Sequence, residues 1–149
     1  MTGDYGTFKV VHAENWHASF VAVNLRKQDL EEIPPNMSPA DSIMQGLECG
    51  KAFTIMVCDE PVAIMGSGGH GEYCIIWMVA TPKVRKIRRD LVKRGKDFAH
   101  KLIGRYSFGG NMVCTNNYNS IRWLKRIGAI FGQPMPKDGK TFIPFSIIK

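Results

Sequence analysis

The segment Asn117-Tyr-Asn-Ser-Ile-Arg-Trp-Leu-Lys-Arg-Ile-Gly128-Ala-Ile-Phe131 constrains the fold more than any other part of the chain. It follows a strand-like apolar run, Asn111-Met-Val-Cys-Thr-Asn116. Asn117 belongs to the residue class that caps helix N-termini, because its short side chain can accept an orphan backbone N–H. Ile121, Leu124 and Ile127 follow at helical spacing, with Trp123 beside them. Gly128 stands where a left-handed C-cap is wanted. Ala129, Ile130 and Phe131 then restart an apolar run. The segment reads as strand, short capped helix, glycine stop, strand.

The rest of the chain supplies the remaining elements. Phe8–His12 reads as a first strand. Ala13–Ile33 contains a helix over part of its length, although Val21–Leu25 also reads as a strand, and the boundary stays open. Pro34-Pro35 ends whatever precedes it. Ser38-Pro39-Ala40-Asp41 is a helix start with Ser as cap and Pro in the first turn. Ile43, Met44 and Leu47 give that helix its apolar face, and Gly50 closes it. Ala52–Cys58 and Pro61–Met65 form a hairpin around a turn at Asp59-Glu60. Gly66–Gly71 is read as a loop, followed by the most apolar strand, Tyr73–Val79. Thr81-Pro82 opens a long helix running to about Tyr106. Val84, Ile87, Leu91, Phe98 and Leu102 mark its buried face. Gly109-Gly110 links it to the strand at 111–116. Two last strands, 129–133 and 141–148, flank a turn at 135–139. This order predicts a single α+β domain over residues 1–149, a mixed sheet with helices on both faces.

Composition bounds what such a domain can do. The chain has 149 residues, 44% of them hydrophobic, enough to bury a real core. No apolar run is long enough for a membrane span. The N-terminal Met-Thr-Gly-Asp-Tyr-Gly lacks a secretory pattern, so the protein is expected to stay where it is made. Cys49, Cys58, Cys74 and Cys114 form no Cys-x-x-Cys pair and no zinc spacing with a His, so no metal site is expected. Cys58, Cys74 and Cys114 lie in apolar runs and are expected as buried free thiols. His12, His17, His70 and His100 are scattered and read as structural or surface residues. The net charge of +7 favours anionic partners without choosing among them.

The 117–131 segment resembles the end of a GNAT-type acyltransferase domain, in which an Asn leads a short helix closed by a Gly and a following strand. Its wording is closer still to the internal virion protein A family of short-tailed bacteriophages. That family carries Asn-x-x-x-Ile-Arg-aromatic-Leu-Lys-x-Ile-Gly-Ala-x-Phe. This chain matches it at Asn117, Ile121, Arg122, Trp123, Leu124, Lys125, Ile127, Gly128, Ala129 and Phe131. The match continues through Asp138-Gly139 and the Phe145–Lys149 ending. It covers roughly residues 50–149 well and the first third loosely.

The resemblance implies a GNAT-like fold and a non-enzymatic role as an internal virion or assembly protein. It implies placement of internal core proteins, involvement in genome ejection, and phage virion or assembly proteins as partners. The implied locations are the host cytoplasm during assembly and the virion interior. The alternative is an N-acetyltransferase using acetyl-CoA. In GNAT enzymes an Arg/Gln-x-x-Gly-x-Gly/Ala turn brings backbone N–H groups to the cofactor pyrophosphate at a helix N-terminus. The corresponding stretch here, Val79–Leu91, contains no Gly, and Val84, Ile87 and Arg88 occupy the turn. No cofactor is therefore expected. If acetyl-CoA binds, its contacts are expected from Met78, Val79, Lys83, Arg85 and Lys86. Many GNAT enzymes place a proton-donating Tyr four residues before the last helix's Gly, and here that position is Leu124. If the chain is an enzyme, its catalytic candidates are Asn117, Tyr118 and Glu72.

Two further features carry expectations. Gly66-Ser-Gly-Gly-His-Gly71 looks like a phosphate loop but leads from strand to strand, which argues against that role. Lys83–Lys101 holds nine Lys/Arg against two Asp. Within it Lys86, Arg89, Lys93 and Lys96 form one stripe opposite the apolar face. The stripe is either a solvated helix face or a docking surface for an acidic virion partner or non-specific nucleic acid. It carries no means of reading bases.

Overall fold

The computed structural model describes residues 1–149. Nine strands form one sheet in the order β1-β2-β3-β4-β5-β6-β9-β7, with β8 paired to β9. They are β1 (Gly3–Asp4), β2 (Lys9–His12), β3 (Lys51–Val57), β4 (Glu60–His70), β5 (Tyr73–Ala80), β6 (Phe108–Cys114), β7 (Ile130–Phe131), β8 (Met135–Lys137) and β9 (Lys140–Ile148). The helices are α1 (Asn15–Val23), α2 (Lys27–Leu30), α3 (Pro39–Glu48), α4 (Arg88–Ile103) and α5 (Tyr118–Arg126). All strand pairings are antiparallel except β5–β6. No helix is long and apolar enough to cross a membrane.

Alternation along the central strands divides the core. Ala63, Met65, Cys74 and Ile76 face one side, where Leu91, Phe98, Ala99 and Leu102 of α4 and Leu124 of α5 cover them. Ile64 faces the other side with Ala18 and Val21 of α1 and Ile43 of α3, and Trp77 and Val79 pack against this second cluster. Helices thus cover both faces, as the element order predicts. Val84, Ile87, Leu91, Phe98 and Leu102 are all buried.

Several elements differ from the sequence reading, each for a physical reason. The long helix has two parts: Pro82–Ile87 is 3₁₀ and only Arg88–Ile103 is α-helical. Val84 and Ile87 stand three apart, and a 3₁₀ turn superimposes i and i+3, so both reach the core. Gly104, at φ 62°, ends the helix. The 13–33 segment forms α1 and α2, and the alternative strand at Val21–Leu25 does not form. Most of the expected Gly66–Gly71 loop is strand, and β4 runs to His70. Its glycines leave room for neighbours: a Cβ on Gly66 would sit 2.5 Å from the Trp77 ring, and one on Gly46 of α3 would sit 2.6 Å from it. Trp77 is thereby clamped between α3 and β4. Gly109 and Gly110 likewise belong to β6. A Cβ on Gly110 would lie 2.3 Å from the Phe145 carbonyl oxygen, so the close β6–β9 approach excludes one. The turn expected at 135–139 narrows to Asp138-Gly139, because Met135–Lys137 pairs with β9.

The first hairpin turns at Cys58-Asp59, one residue earlier than expected, with Val57 paired to Glu60. Cys58 and Asp59 have φ 49° and 63°, the backbone of a two-residue turn matching strand twist. Cys58 is therefore exposed, not buried, while Cys74 and Cys114 are buried free thiols. His17 is buried, and its Nδ1 accepts from the Glu14 N–H at 3.0 Å and lies 2.9 Å from Thr54 Oγ1. Burial pulls its pKa below the ordinary imidazole value.

Leu91 is 4% exposed in the seam between α4 and the sheet. Leu91→Asp would bury a carboxylate without a partner and should cost at least about 3 kcal/mol. Chemical denaturation would measure the loss. An unchanged midpoint would mean that the seam does not hold α4.

Candidate functional site

The site arises where β5 parts from β6. The two strands share only two register pairs, Cys74↔Gly109 and Ile75↔Gly110. Beyond them β5 stays with β4 as far as the Ala80↔Ala63 pair. β6 stays with β9 as far as the Cys114↔Phe142 pair. Each strand keeps one neighbour and loses the other, so the sheet forks. At the crotch Asn111 Nδ2 donates to the Ile76 carbonyl at 3.0 Å, and its Oδ1 accepts from the Met112 N–H at 2.8 Å. A side chain thus takes over backbone bonding where the ladder stops.

The segment from Arg26 to Glu32 ties the two prongs together. The Arg26 N–H donates to the Ala80 carbonyl at 2.9 Å. Asp29 Oδ2 accepts from the Ala80 N–H at 2.9 Å, and the Asp29 carboxylate is gripped by Arg26 at 2.8 and 2.9 Å. Three residues on, Glu32 Oε1 accepts from the Cys114 N–H at 2.7 Å and from Asn117 Nδ2 at 3.2 Å. Asp29 therefore satisfies the end of β5, and Glu32 satisfies the end of β6. Burial pushes the Glu32 carboxyl above its ordinary value, with Asp29 adding to the rise and the two hydrogen bonds and Arg26 opposing it.

Two cavities open from the fork. One, of about 520 Å³, lies toward α3 and includes Trp77, Val79 and Asn111 in its wall. The other, of about 710 Å³, lies between α2, the 3₁₀ turn, the start of α4, and α5. Met78, Ser120 and Trp123 border both. The Trp123 indole N–H is buried without an acceptor from the protein. The second cavity is lined by Arg26, Lys27, Arg85, Arg88, Arg122 and Arg126, and by no acidic residue. Arg26 is paired with Asp29, whereas Arg85, Arg88, Arg122 and Arg126 belong to none of the chain's four ion pairs.

The structure separates the candidate residues. Asn117 is buried and caps α5, its Oδ1 accepting the Ser120 N–H at 3.2 Å while its amide serves Glu32. Tyr118 is 69% exposed. Glu72 is exposed in the β4–β5 turn, at the opposite end of β5 from the fork. These three do not converge. Met78 and Val79 do line the fork. Among the expected basic contacts only Arg85 lines the cationic cavity. Lys83 instead pairs with Glu60, and Lys86 is exposed together with Arg89, Lys93 and Lys96. Leu124 is buried in the core.

Sequence reading did not find Arg26, Arg88, Arg122 and Arg126 as a group, nor Glu32 as the tie. The spacing of Arg122 and Arg126, and of Arg85 and Arg88, puts each pair on one helix face. Only the fold sets those faces opposite each other.

Residues 51–135 match the family model described as "Bacteriophage T7, probable scaffold protein Gp13". The probable scaffold protein gp13 of Escherichia phage T7 is 30% identical over 106 residues, covering 68% of this chain and 73% of that protein. The chain belongs to the phage T7 Gp13 scaffold protein family. Its fold is that of the GNAT acetyltransferases. A GNAT-family acetyltransferase from Bacillus anthracis superposes with TM-score 0.71 at 13% identity, covering 99% of this chain and 98% of that one. The ribosomal-protein-S5-alanine acetyltransferase from Vibrio fischeri gives TM-score 0.72 at 12% identity, covering 99% and 96%. At such identities the likeness shows the fold alone. The family model spans the fork, α4 and α5, but not the Arg26–Glu32 tie.

Glu32 generates a pH prediction. Its folded pKa lies above the ordinary 4.5. Its contribution to stability is therefore full below the unfolded value and is lost as pH rises through the folded value. In Glu32→Gln the amide oxygen can accept both hydrogen bonds without a charge, so the fall in Tm over that window should flatten. Glu32→Ala leaves both donors unpaired and should cost about 1–3 kcal/mol. Melting curves across the window check both outcomes, and identical pH profiles for parent and Glu32→Gln would exclude Glu32 as the titrating group.

Proposed function

We propose that this chain is a non-enzymatic assembly protein of a bacteriophage, built on an acyltransferase fold and acting through protein contacts. Membership of a family described as probable scaffold proteins supports an assembly role. The resemblance to the internal virion protein A family extends the reading to placement of internal core proteins and to genome ejection. The site of action is then the host cytoplasm during assembly, and afterwards the virion interior. The partners are other phage virion or assembly proteins. The exposed Lys86, Arg89, Lys93 and Lys96 stripe adds non-specific attraction for anionic surfaces, nucleic acid included.

The observation that carries the non-enzymatic part is the start of α4. A pyrophosphate at a helix N-terminus needs free backbone N–H groups and close approach. Here Pro82–Ile87 forms a 3₁₀ turn, Val84 and Ile87 fill it toward the core, and the Arg88 N–H donates to the Arg85 carbonyl. The first N–H of the helix is thus already spent on its preceding turn. The position from which a proton donor would serve acyl transfer holds the buried Leu124. The second reading, an N-acetyltransferase using acetyl-CoA, is favoured by one observation, the open fork with its cavities.

Thermal shift with acetyl-CoA separates the two readings. A cofactor-dependent enzyme at saturating ligand gains about 3 kcal/mol of stability. No shift is expected, and calorimetry should give a dissociation constant weaker than the low micromolar range, about −8 kcal/mol. Tight binding would sink the non-enzymatic reading. The assembly role is tested by infection with phage lacking this chain. Loss of infectious particles with normal expression of other virion proteins is expected. Normal particle yield would refute it.

A further inference from the structure

We propose that the cationic cleft between the start of α4 and α5 is the docking site for an acidic peptide segment of a partner protein. The proposal deepens the assembly reading and rests on it. The cleft's charged lining is of one sign, five Arg and one Lys with no Asp or Glu. Four of the guanidinium groups, those of Arg85, Arg88, Arg122 and Arg126, are exposed and belong to no ion pair within the chain. Nearby acidic groups are engaged elsewhere: Asp90 accepts from Thr7 Oγ1 at 2.6 Å, Asp97 pairs with Lys101, Glu60 with Lys83, and Asp29 with Arg26. Four like charges are thus held together on a concave surface without internal compensation, which an anionic occupant would relieve.

The shape and chemistry of the lining select the class of anion. Arginine presents a planar fork that binds a carboxylate or a phosphate through two parallel hydrogen bonds, an advantage the single Lys lacks, and the spacing of the forks then favours charges spread along a chain. Arg85 and Arg88 stand on one wall, and Arg122 and Arg126 on the other. An extended peptide points alternate side chains to opposite sides. Acidic residues along such a segment would therefore address both walls at once. Met78, Leu91 and Trp123 give the cleft an apolar component for the peptide's stem atoms. A pyrophosphate fits less well, because the Arg88 N–H is spent on the Arg85 carbonyl. A nucleic-acid duplex cannot enter a cleft of about 710 Å³. The exposed stripe of Lys86, Arg89, Lys93 and Lys96 would attract the same partners from a distance without fixing their register.

The test uses the full chain and a fluorescein-labelled oligoglutamate peptide, read by anisotropy at physiological salt. One variant carries Arg85→Gln, Arg88→Gln, Arg122→Gln and Arg126→Gln. Its charge-matched control carries Lys86→Gln, Arg89→Gln, Lys93→Gln and Lys96→Gln. All eight positions are exposed, so folding should survive, and melting curves verify it. The cleft variant should bind the peptide at least about tenfold more weakly, and the control should stay within about threefold of the parent. Acetyl-CoA and duplex DNA should not displace the peptide. Equal losses in the two variants would overturn the proposal, as would displacement by acetyl-CoA or DNA at comparable concentration. Complementation of phage lacking the chain separates this proposal from the reading beneath it. If the parent restores particles and the cleft variant does so equally well, the cleft is not the docking site, although the assembly role stands. If the cleft variant fails while the stripe control succeeds, the cleft is the partner site.

Discussion

The fork in the sheet depends on one short tie. Asp29 and Glu32 stand three residues apart and hold the ends of two strands that do not hold each other. Without the tie, the N–H groups of the buried Ala80 and Cys114 would each be left with no acceptor. An unpaired backbone donor in such a place costs about 1–3 kcal/mol, so the tie is what makes an open fork affordable. Glu32 also takes the Asn117 amide, whose oxygen caps α5. The same carboxylate therefore fixes the end of β6 and the start of the helix that forms one wall of the cationic cleft. Both carboxylates are drawn from water to do this. For Glu32 the result is a pKa raised by burial, and for Asp29 it is the two-pronged grip of Arg26.

Much of this was readable from residues. The Asn117 cap, the α5 face and the Gly128 stop were predicted by local chemistry, and the structure keeps all three, with Gly128 at φ 95°. Ser38 caps α3 through the Asp41 N–H at 3.1 Å, as its place before Pro39 suggests. The buried face of the α4 region was legible because its period is set by the core it covers. Glycines carry the least local information here. Gly66–His70 and Gly109-Gly110 look like loops when local preference alone is considered, yet they are strands because Trp77 and the β9 backbone need the space a Cβ would take. Such a requirement comes from residues distant in sequence. The same holds for the site. Arg85 and Arg126 are separated by forty-one positions (126 − 85), and nothing local says that they line one cleft. The Asp29 and Glu32 contacts cross more than fifty positions each, in a segment whose sequence left helix and strand both open.

The 3₁₀ entry to α4 shows how apolar anchoring changes the chemistry of a helix start. Glycines at a helix start leave backbone N–H groups accessible to an anion. Val84 and Ile87 do the opposite, since both turn inward and their side chains anchor the turn to the sheet. The turn gains apolar burial, at roughly 25 cal/mol for each Å² removed from water, and the Arg88 N–H is spent on the Arg85 carbonyl. Positive charge at this end of the helix is carried by the Arg85 and Arg88 guanidinium side chains. Side chains of that kind suit a ligand whose charges are spread along its length better than one with a single compact phosphate pair.

The open fork also persists for reasons independent of any ligand. Pairing β5 with β6 beyond Ile75 would bring the Ile76–Ala80 backbone against Asn111–Cys114. The Asn111 amide would lose its place at the Ile76 carbonyl, and the Asp29 and Glu32 carboxylates would be expelled from the strand ends they satisfy. Trp77, whose ring packs directly against Gly46 and Gly66, ties β5 to β4 and α3 instead. Closing the sheet would thus exchange a set of mutually satisfied polar groups for a few ladder bonds, each worth about 1 kcal/mol net. The fork is a self-consistent packing solution, held by the Asp29–Glu32 tie, the Asn111 amide at the crotch and a clamped Trp77. A cleft maintained in this way stays open whether or not acyl chemistry uses it, which leaves its lining free to change toward a different partner.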